Sequence, residues 1–224
     1  MPDGQRVPWW GLLSAAAAPA ILIGGWTVAA ALQPASYSQV TGTISALAGH
    51  GAADRWVMTM AFAAVAVCHV LTGLALRPAA WPGRAVLIAA GLATAAVAAS
   101  PLPAGGGGSA RHTAAAAISF VTLASWPVFA ARRKPAQQAA WSAPSGQQPS
   151  PGPGVLRLGV CAGASAVLFG LVVWFAVTLN TSGAPVGVAE RLTAAAQVLW
   201  PLAVVLACRL RPPAISAMDA NSAL

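Results

Sequence analysis

Six apolar runs, Trp10–Leu32, Trp56–Leu76, Ala85–Leu102, His112–Ala130, Val155–Leu179 and Leu192–Cys208, reach roughly the 17 to 25 residues that a helix needs to cross a bilayer. Backbone polar groups in hydrocarbon must be satisfied within their own segment, and these runs are too long and too uniformly apolar for barrel strands. The expected fold class is therefore all-α, a polytopic bundle of six transmembrane helices. With 58% hydrophobic and 7% charged residues, a 224-residue chain also lacks the polar surface of a soluble domain.

The net charge of +8 would suggest nucleic acid in a soluble protein, but here the Lys and Arg sit in short loops, where they govern membrane orientation. No nucleic-acid partner is expected. Placing both termini in the cytoplasm puts Arg6, Arg77, Arg84, Arg132, Arg133, Lys134, Arg157, Arg209 and Arg211 inside, and leaves Arg55, Arg111 and Arg191 outside. Trp9, Trp10, Trp56 and Trp81 mark span boundaries, where an amphipathic ring prefers the headgroup level. Eleven arginines against one lysine, with much Ala, Gly and Pro, point to a GC-rich bacterial genome, so the expected location is the bacterial plasma membrane. The first run is longer than the roughly 7 to 15 residues of a cleavable signal core and is read as a retained anchor.

The chain divides into residues 1–130, with four spans and a long outer loop at 33–54; a Pro/Gln/Ser/Gly-rich linker at 131–154, whose composition predicts cytoplasmic disorder; a helical pair at 155–208; and a cytoplasmic tail at 209–224. Spans four and six share a pattern, Arg111-His112-Thr113-Ala114-Ala115-Ala116 against Arg191-Leu192-Thr193-Ala194-Ala195-Ala196, each followed by a Trp-Pro pair at a different offset. Duplication and chance similarity in an alanine-rich chain both account for it. Pro19, Pro127 and Pro201 each remove a backbone donor within a span. Gly159 and Gly163 form a G-x-x-x-G in span five, which allows close helix contact within the protein or between copies, and so an oligomer. Cys68, Cys161 and Cys208 lack metal-site spacing and read as small packing residues.

Spans two, four and six begin on the outer side with Asp54-Arg55, Arg111-His112 and Glu190-Arg191. A helix N-terminus favours an acid and disfavours an arginine, and the outer side also opposes the positive-inside bias. On a structural reading Asp54 and Glu190 cap their helices while the arginines snorkel or pair locally. On a functional reading the three helix starts converge on an outward-facing polar pocket for an anionic or zwitterionic group, such as a lipid headgroup or small amphiphile. In the outer loop Val40, Ile44 and Leu47 have helical spacing and predict a short interfacial helix, from which Tyr37, Ser38, Thr43, Ser45 and His50 overlook the helix starts. The candidate ligand-binding residues are thus Tyr37, Ser38, Ser45, His50, Asp54, Arg55, Arg111, His112, Glu190 and Arg191.

Catalytic signatures are missing: there is no G-x-S-x-G elbow, H-E-x-x-H pair or P-loop, and no cofactor or metal is expected. His50, Asp54 and His112 share the outer boundary, which keeps open a membrane-embedded hydrolase using His112 or His50 with Asp54. His69 lies too far along its span to join them and reads as a buried polar residue bonded to a neighbouring helix. Every Asp, Glu, Lys and Arg falls within a turn of a span end or beyond it, which argues against ion-coupled transport and leaves a carrier for an apolar substrate as a further alternative.

Tyr37-Ser38 with Thr43-Ile44-Ser45-Ala46-Leu47, Ala53-Asp54-Arg55-Trp56, Pro101-Leu102-Pro103 ahead of Arg111-His112, and Gly187-Val188-Ala189-Glu190-Arg191 together resemble the prokaryotic family called domain of unknown function 998. The resemblance implies a six-helix integral membrane protein without an assigned activity, and draws attention to the outer boundary. The linker after span four departs from the family pattern and reads as an insertion.

Overall fold

The computed structural model describes residues 6–105, 108–132 and 154–210. The expected linker and tail fall mostly outside the described residues, as do Arg133, Lys134 and Arg211. Seven α-helices are found among the described residues: α1 (Trp9–Ala31), α2 (Ile44–Leu47), α3 (Trp56–Ala75), α4 (Trp81–Ala98), α5 (Ala110–Ala130), α6 (Leu158–Leu179) and α7 (Val186–Arg209). Six of them, all but the four-residue α2, are long and apolar enough to cross a membrane. No strand occurs among the described residues.

Each long helix packs on the next in the chain, and α7 returns to α1, so the six close into a ring. Direct packing of α5 on α7 draws that side inward and leaves α6 peripheral. Small residues set the closest approaches, as expected where close packing rather than hydrophobic exclusion joins helices. A Cβ on Gly83 of α4 would stand 2.2 Å from the Ala130 backbone nitrogen, and one on Gly91 would stand 2.7 Å from the Ala66 carbonyl oxygen of α3. Only glycine allows these backbones so near. Gly159 and Gly163, by contrast, face open space: a Cβ on either would meet nothing within 4 Å.

Polar side chains join helices within the apolar packing. The Ser14 and Thr72 hydroxyls are 3.0 Å apart across α1 and α3, and those of Thr94 and Ser119 are 2.9 Å apart across α4 and α5. Beside Pro127, the Val128 N–H donates to the Ser165 hydroxyl of α6 (3.3 Å). At the end opposite α2, Arg84 donates to the Gly73 and Leu74 carbonyls (3.0 and 2.8 Å), satisfying free carbonyls at the α3 C-terminus. This local use of Arg84 lets α4 begin at Trp81, four residues before the run read from hydropathy.

The end that carries α2 also holds Arg55, Arg111 and Arg191, while Arg6, Arg77, Arg84, Arg132, Arg157 and Arg209 lie towards the other.

Candidate functional site

The segment from Gln33 to Ala48 folds over the α2 end of the ring and is held by two adjacent residues of α7. This helix begins at Val186, six residues before the run that hydropathy marks, which carries Glu190 and Arg191 inside it. Val40 starts the exchange of bonds: its carbonyl accepts from the N–H groups of Gly187 (2.9 Å) and Val188 (3.3 Å), two of the free donors at the α7 N-terminus. Gly187 permits the approach, since a Cβ there would lie 2.3 Å from the Gly42 carbonyl oxygen.

Glu190 reciprocates. The residue is 1% exposed, and its carboxyl accepts from the Ile44 N–H and from the Ser45 hydroxyl (2.7 Å), so it caps α2 rather than its own helix. Thr43 completes that cap by accepting from the Ala46 N–H (3.0 Å). The α7 N-cap is Pro185 and the α3 N-cap is Arg55, neither with a side-chain cap bond, which corrects the expectation that Glu190 and Asp54 cap their own helices. Arg191 spreads its guanidinium over the same segment. Nη1 donates to the carbonyls of Gln39 (2.8 Å), Gly42 (2.8 Å) and Gly187 (3.0 Å), and Nη2 donates to the Tyr37 hydroxyl (2.9 Å). The Tyr37 hydroxyl in turn donates to Gly42 (3.2 Å). Ser38 stays exposed and accepts from the Val40 N–H (3.3 Å).

Tyr37, Ser45, Glu190 and Arg191 therefore meet, and the other candidates do not join them. His50 is exposed and tied through its backbone N–H to the Leu102 carbonyl (2.8 Å). Asp54 is exposed, in a turn with φ of 46°. Arg55 stacks on the Trp56 ring at 4.0 Å, and Arg111 is exposed. His112 is buried, with Nδ1 2.8 Å from the Ser100 carbonyl oxygen, so it ties α5 to the end of α4. The expected interfacial helix shortens to Ile44–Leu47; Val40 lies outside it, and Ile44 and Leu47 are buried in the core. Among the described residues no three His, Cys, Asp or Glu side chains gather closely enough to hold a metal ion.

Beneath this cover lies a cavity of about 50 Å³ between α1, α2, α3, α4, α5 and α7. Its apolar wall includes Leu22, Phe62, Val65, Phe120, Leu123 and Val198, and its polar wall comprises Ser45, His69, Thr94, Ser119, Glu190 and Gln197. Counting about 1.5 Å per residue from each helix start, Glu190 sits roughly 6 Å, Gln197 roughly 16 Å and His69 roughly 20 Å below the α2 end. The Gln197 amide donates to the Phe120 carbonyl (2.9 Å), while its Oε1 is buried and has no partner among the described residues. Both ring nitrogens of His69 are equally unpartnered, which corrects the expectation of a bond to a neighbouring helix. Buried polar atoms are almost always satisfied, so three unpartnered ones on one cavity wall mark a place where another molecule or water completes the bonding.

Sequence reasoning did not identify Gln197, Ser119 or Thr94 as site residues. The available signal was their chemistry, amide or hydroxyl side chains inside apolar spans, together with His69 on a third helix. Neither the curated proteins nor the solved structures compared with the chain contain a match to it. One family model does match, covering residues 15–207. On that match, extending over nearly the whole helical ring, the chain belongs to the family described as Protein of unknown function (DUF998).

Proposed function

We propose that this is a multi-pass protein of the bacterial plasma membrane that binds a small amphiphile, such as a lipid headgroup region or a short-chain lipid-like molecule, in the cavity beneath the 33–48 segment. The observation that carries the proposal is the set of unpartnered atoms, Gln197 Oε1 and both His69 nitrogens, on a wall otherwise continuous with apolar side chains. An apolar space with a few convergent polar groups is the usual form of a small-molecule site. Titratable groups buried at membrane depth point the same way, because they are costly unless they serve a function.

The distribution of basic residues supports an orientation with both termini cytoplasmic, the α2 end outward and the Glu190–Arg191 segment as an outer cover. The reading is non-enzymatic: the Ser45 hydroxyl and the Glu190 carboxyl, which do meet, are engaged at the start of α2 and hold the 33–48 segment in place.

Purification in mild detergent, followed by extraction and mass spectrometry of retained small molecules, tests the proposal. The wild type should retain a molecule at near-stoichiometric level, and Ala194→Phe, which fills the cavity from α7, should lose it while keeping its helical content. Equal retention by both, or none by the wild type, would contradict the proposal.

A further inference from the structure

The cavity wall carries a carboxyl group and unpartnered acceptors, but no Lys or Arg among its described residues. Arg191 has both Nη atoms committed to the 37–42 segment and to Gly187, and although its Nε is buried without a partner among the described residues, the side chain is not part of the cavity wall and starts about 9 Å along α7 from Gln197. An anion placed here would leave water without gaining a counterion, and would face the Glu190 carboxyl instead. That arrangement excludes phosphate and carboxylate heads.

A cation finds little more. The Glu190 oxygens accept from Ile44 and Ser45 at the start of α2, and the carboxyl lies about 10 Å along α7 from Gln197, too far to serve a cation held at Gln197 and His69. Gln197 Oε1 lacks a donor among the described residues, and the His69 ring in its uncharged form offers one N–H donor and one acceptor nitrogen. Thr94 and Ser119, also on the wall, are bonded to each other and to the α4 backbone. What is missing is a partner that both gives and receives a hydrogen bond without carrying charge.

Resting on the binding reading above, we infer that the cavity takes the head of an uncharged, hydroxyl-bearing amphiphile. Its O–H donates to Gln197 Oε1 or to the acceptor nitrogen of His69, and its oxygen accepts from the His69 N–H. In the measure where one water needs roughly 10–15 Å³, a space of about 50 Å³ admits the hydroxyl and the first few carbons. Phe62, Val65, Leu123 and Val198 surround them. The recognised class is thus a neutral alcohol, bound near mid-membrane by two side chains from α3 and α7.

The test uses three diazirine photoprobes of matched six-carbon length, an alcohol, a carboxylate and an ammonium, on the full chain in lipid nanodiscs at pH 8. Labelled residues are mapped by peptide mass spectrometry. The alcohol should label the cavity wall at least tenfold more than either charged probe, and excess unlabelled hexanol should compete it away. Gln197→Met and His69→Leu should each reduce alcohol labelling several-fold, although the comparison of the three probes on wild type needs neither variant. Stronger labelling by the carboxylate or the ammonium would overturn the inference of a neutral alcohol and leave the binding reading standing. Absence of cavity labelling by all three would mean that water alone completes these bonds, and would overturn both.

Discussion

Glu190 and Ser45 stand 145 residues apart in the chain and are joined by a 2.7 Å hydrogen bond in which the serine hydroxyl donates to the carboxyl. The same carboxyl accepts from the Ile44 N–H, so one side chain of the last helix secures the start of a four-residue helix that could not persist alone. Replacing Glu190 with Ala leaves a buried N–H without a partner, which costs about 1–3 kcal/mol. Glu190→Gln retains one acceptor and should lose less. Thermal unfolding in detergent should rank wild type above Glu190→Gln and Glu190→Ala lowest; equal stability of all three would show that the carboxyl does not hold α2.

Arg191 makes its contacts through a planar fork, and Lys has no geometry to replace it. In Arg191→Lys, amide hydrogen exchange should accelerate over residues 37–42, where the guanidinium meets Tyr37, Gln39 and Gly42, with the centres of α3 and α4 unaffected. Unchanged protection of 37–42 would contradict this role.

Much of this architecture is legible in the residues. Hydropathy locates all six spans, and α1, α3 and the C-terminal ends of α5 and α6 fall within about a residue of the runs, because length and apolarity are what a bilayer selects. The starts of α4 and α7 are missed for one reason: Arg84, Glu190 and Arg191 read as the end of a span, whereas the fold gives them carbonyl, N–H and hydroxyl partners that let the helix run through them. Glu190 and Arg191 are conspicuous in the sequence as charge near a helix start, and Tyr37 and Ser45 as polar residues of the outer loop that overlooks it. The cavity is not found, because Thr94, Ser119, Gln197 and His69 lie on four helices that are apolar nearly all round, and nothing in such a run says which face meets which. His112 shows the converse error, a titratable ring that looks available and instead secures the end of α4.

Packing of α4 on α5 depends on Gly83. Gly83→Ala drives a methyl group into the Ala130 backbone and should cost about 1–3 kcal/mol or more, since backbone cannot swing aside as a side chain does. Gly24→Ala in α1, where a Cβ meets nothing within 4 Å, should be neutral or stabilising by up to about 1 kcal/mol. Folded yield and melting temperature of the two variants check the contrast, and a Gly83→Ala protein as stable as wild type would refute the close approach.

His69 provides a separation of stability from binding. Its ring is buried with both nitrogens unpartnered, so an apolar replacement removes a desolvation penalty and breaks no hydrogen bond to the protein. His69→Leu should unfold at the same or a higher temperature than wild type while losing the retained molecule. A marked fall in stability would mean that the ring is structural.

The central claim is that the space between α3 and α7 is occupied by a molecule other than protein. An experimental structure of the chain extracted directly into native-lipid nanodiscs addresses it most directly. The account predicts continuous non-protein density entering between Gln197 and His69, with its polar end within about 3.2 Å of Gln197 Oε1. A closed cavity in which Gln197 and His69 bond to each other, with no density between them, would contradict it.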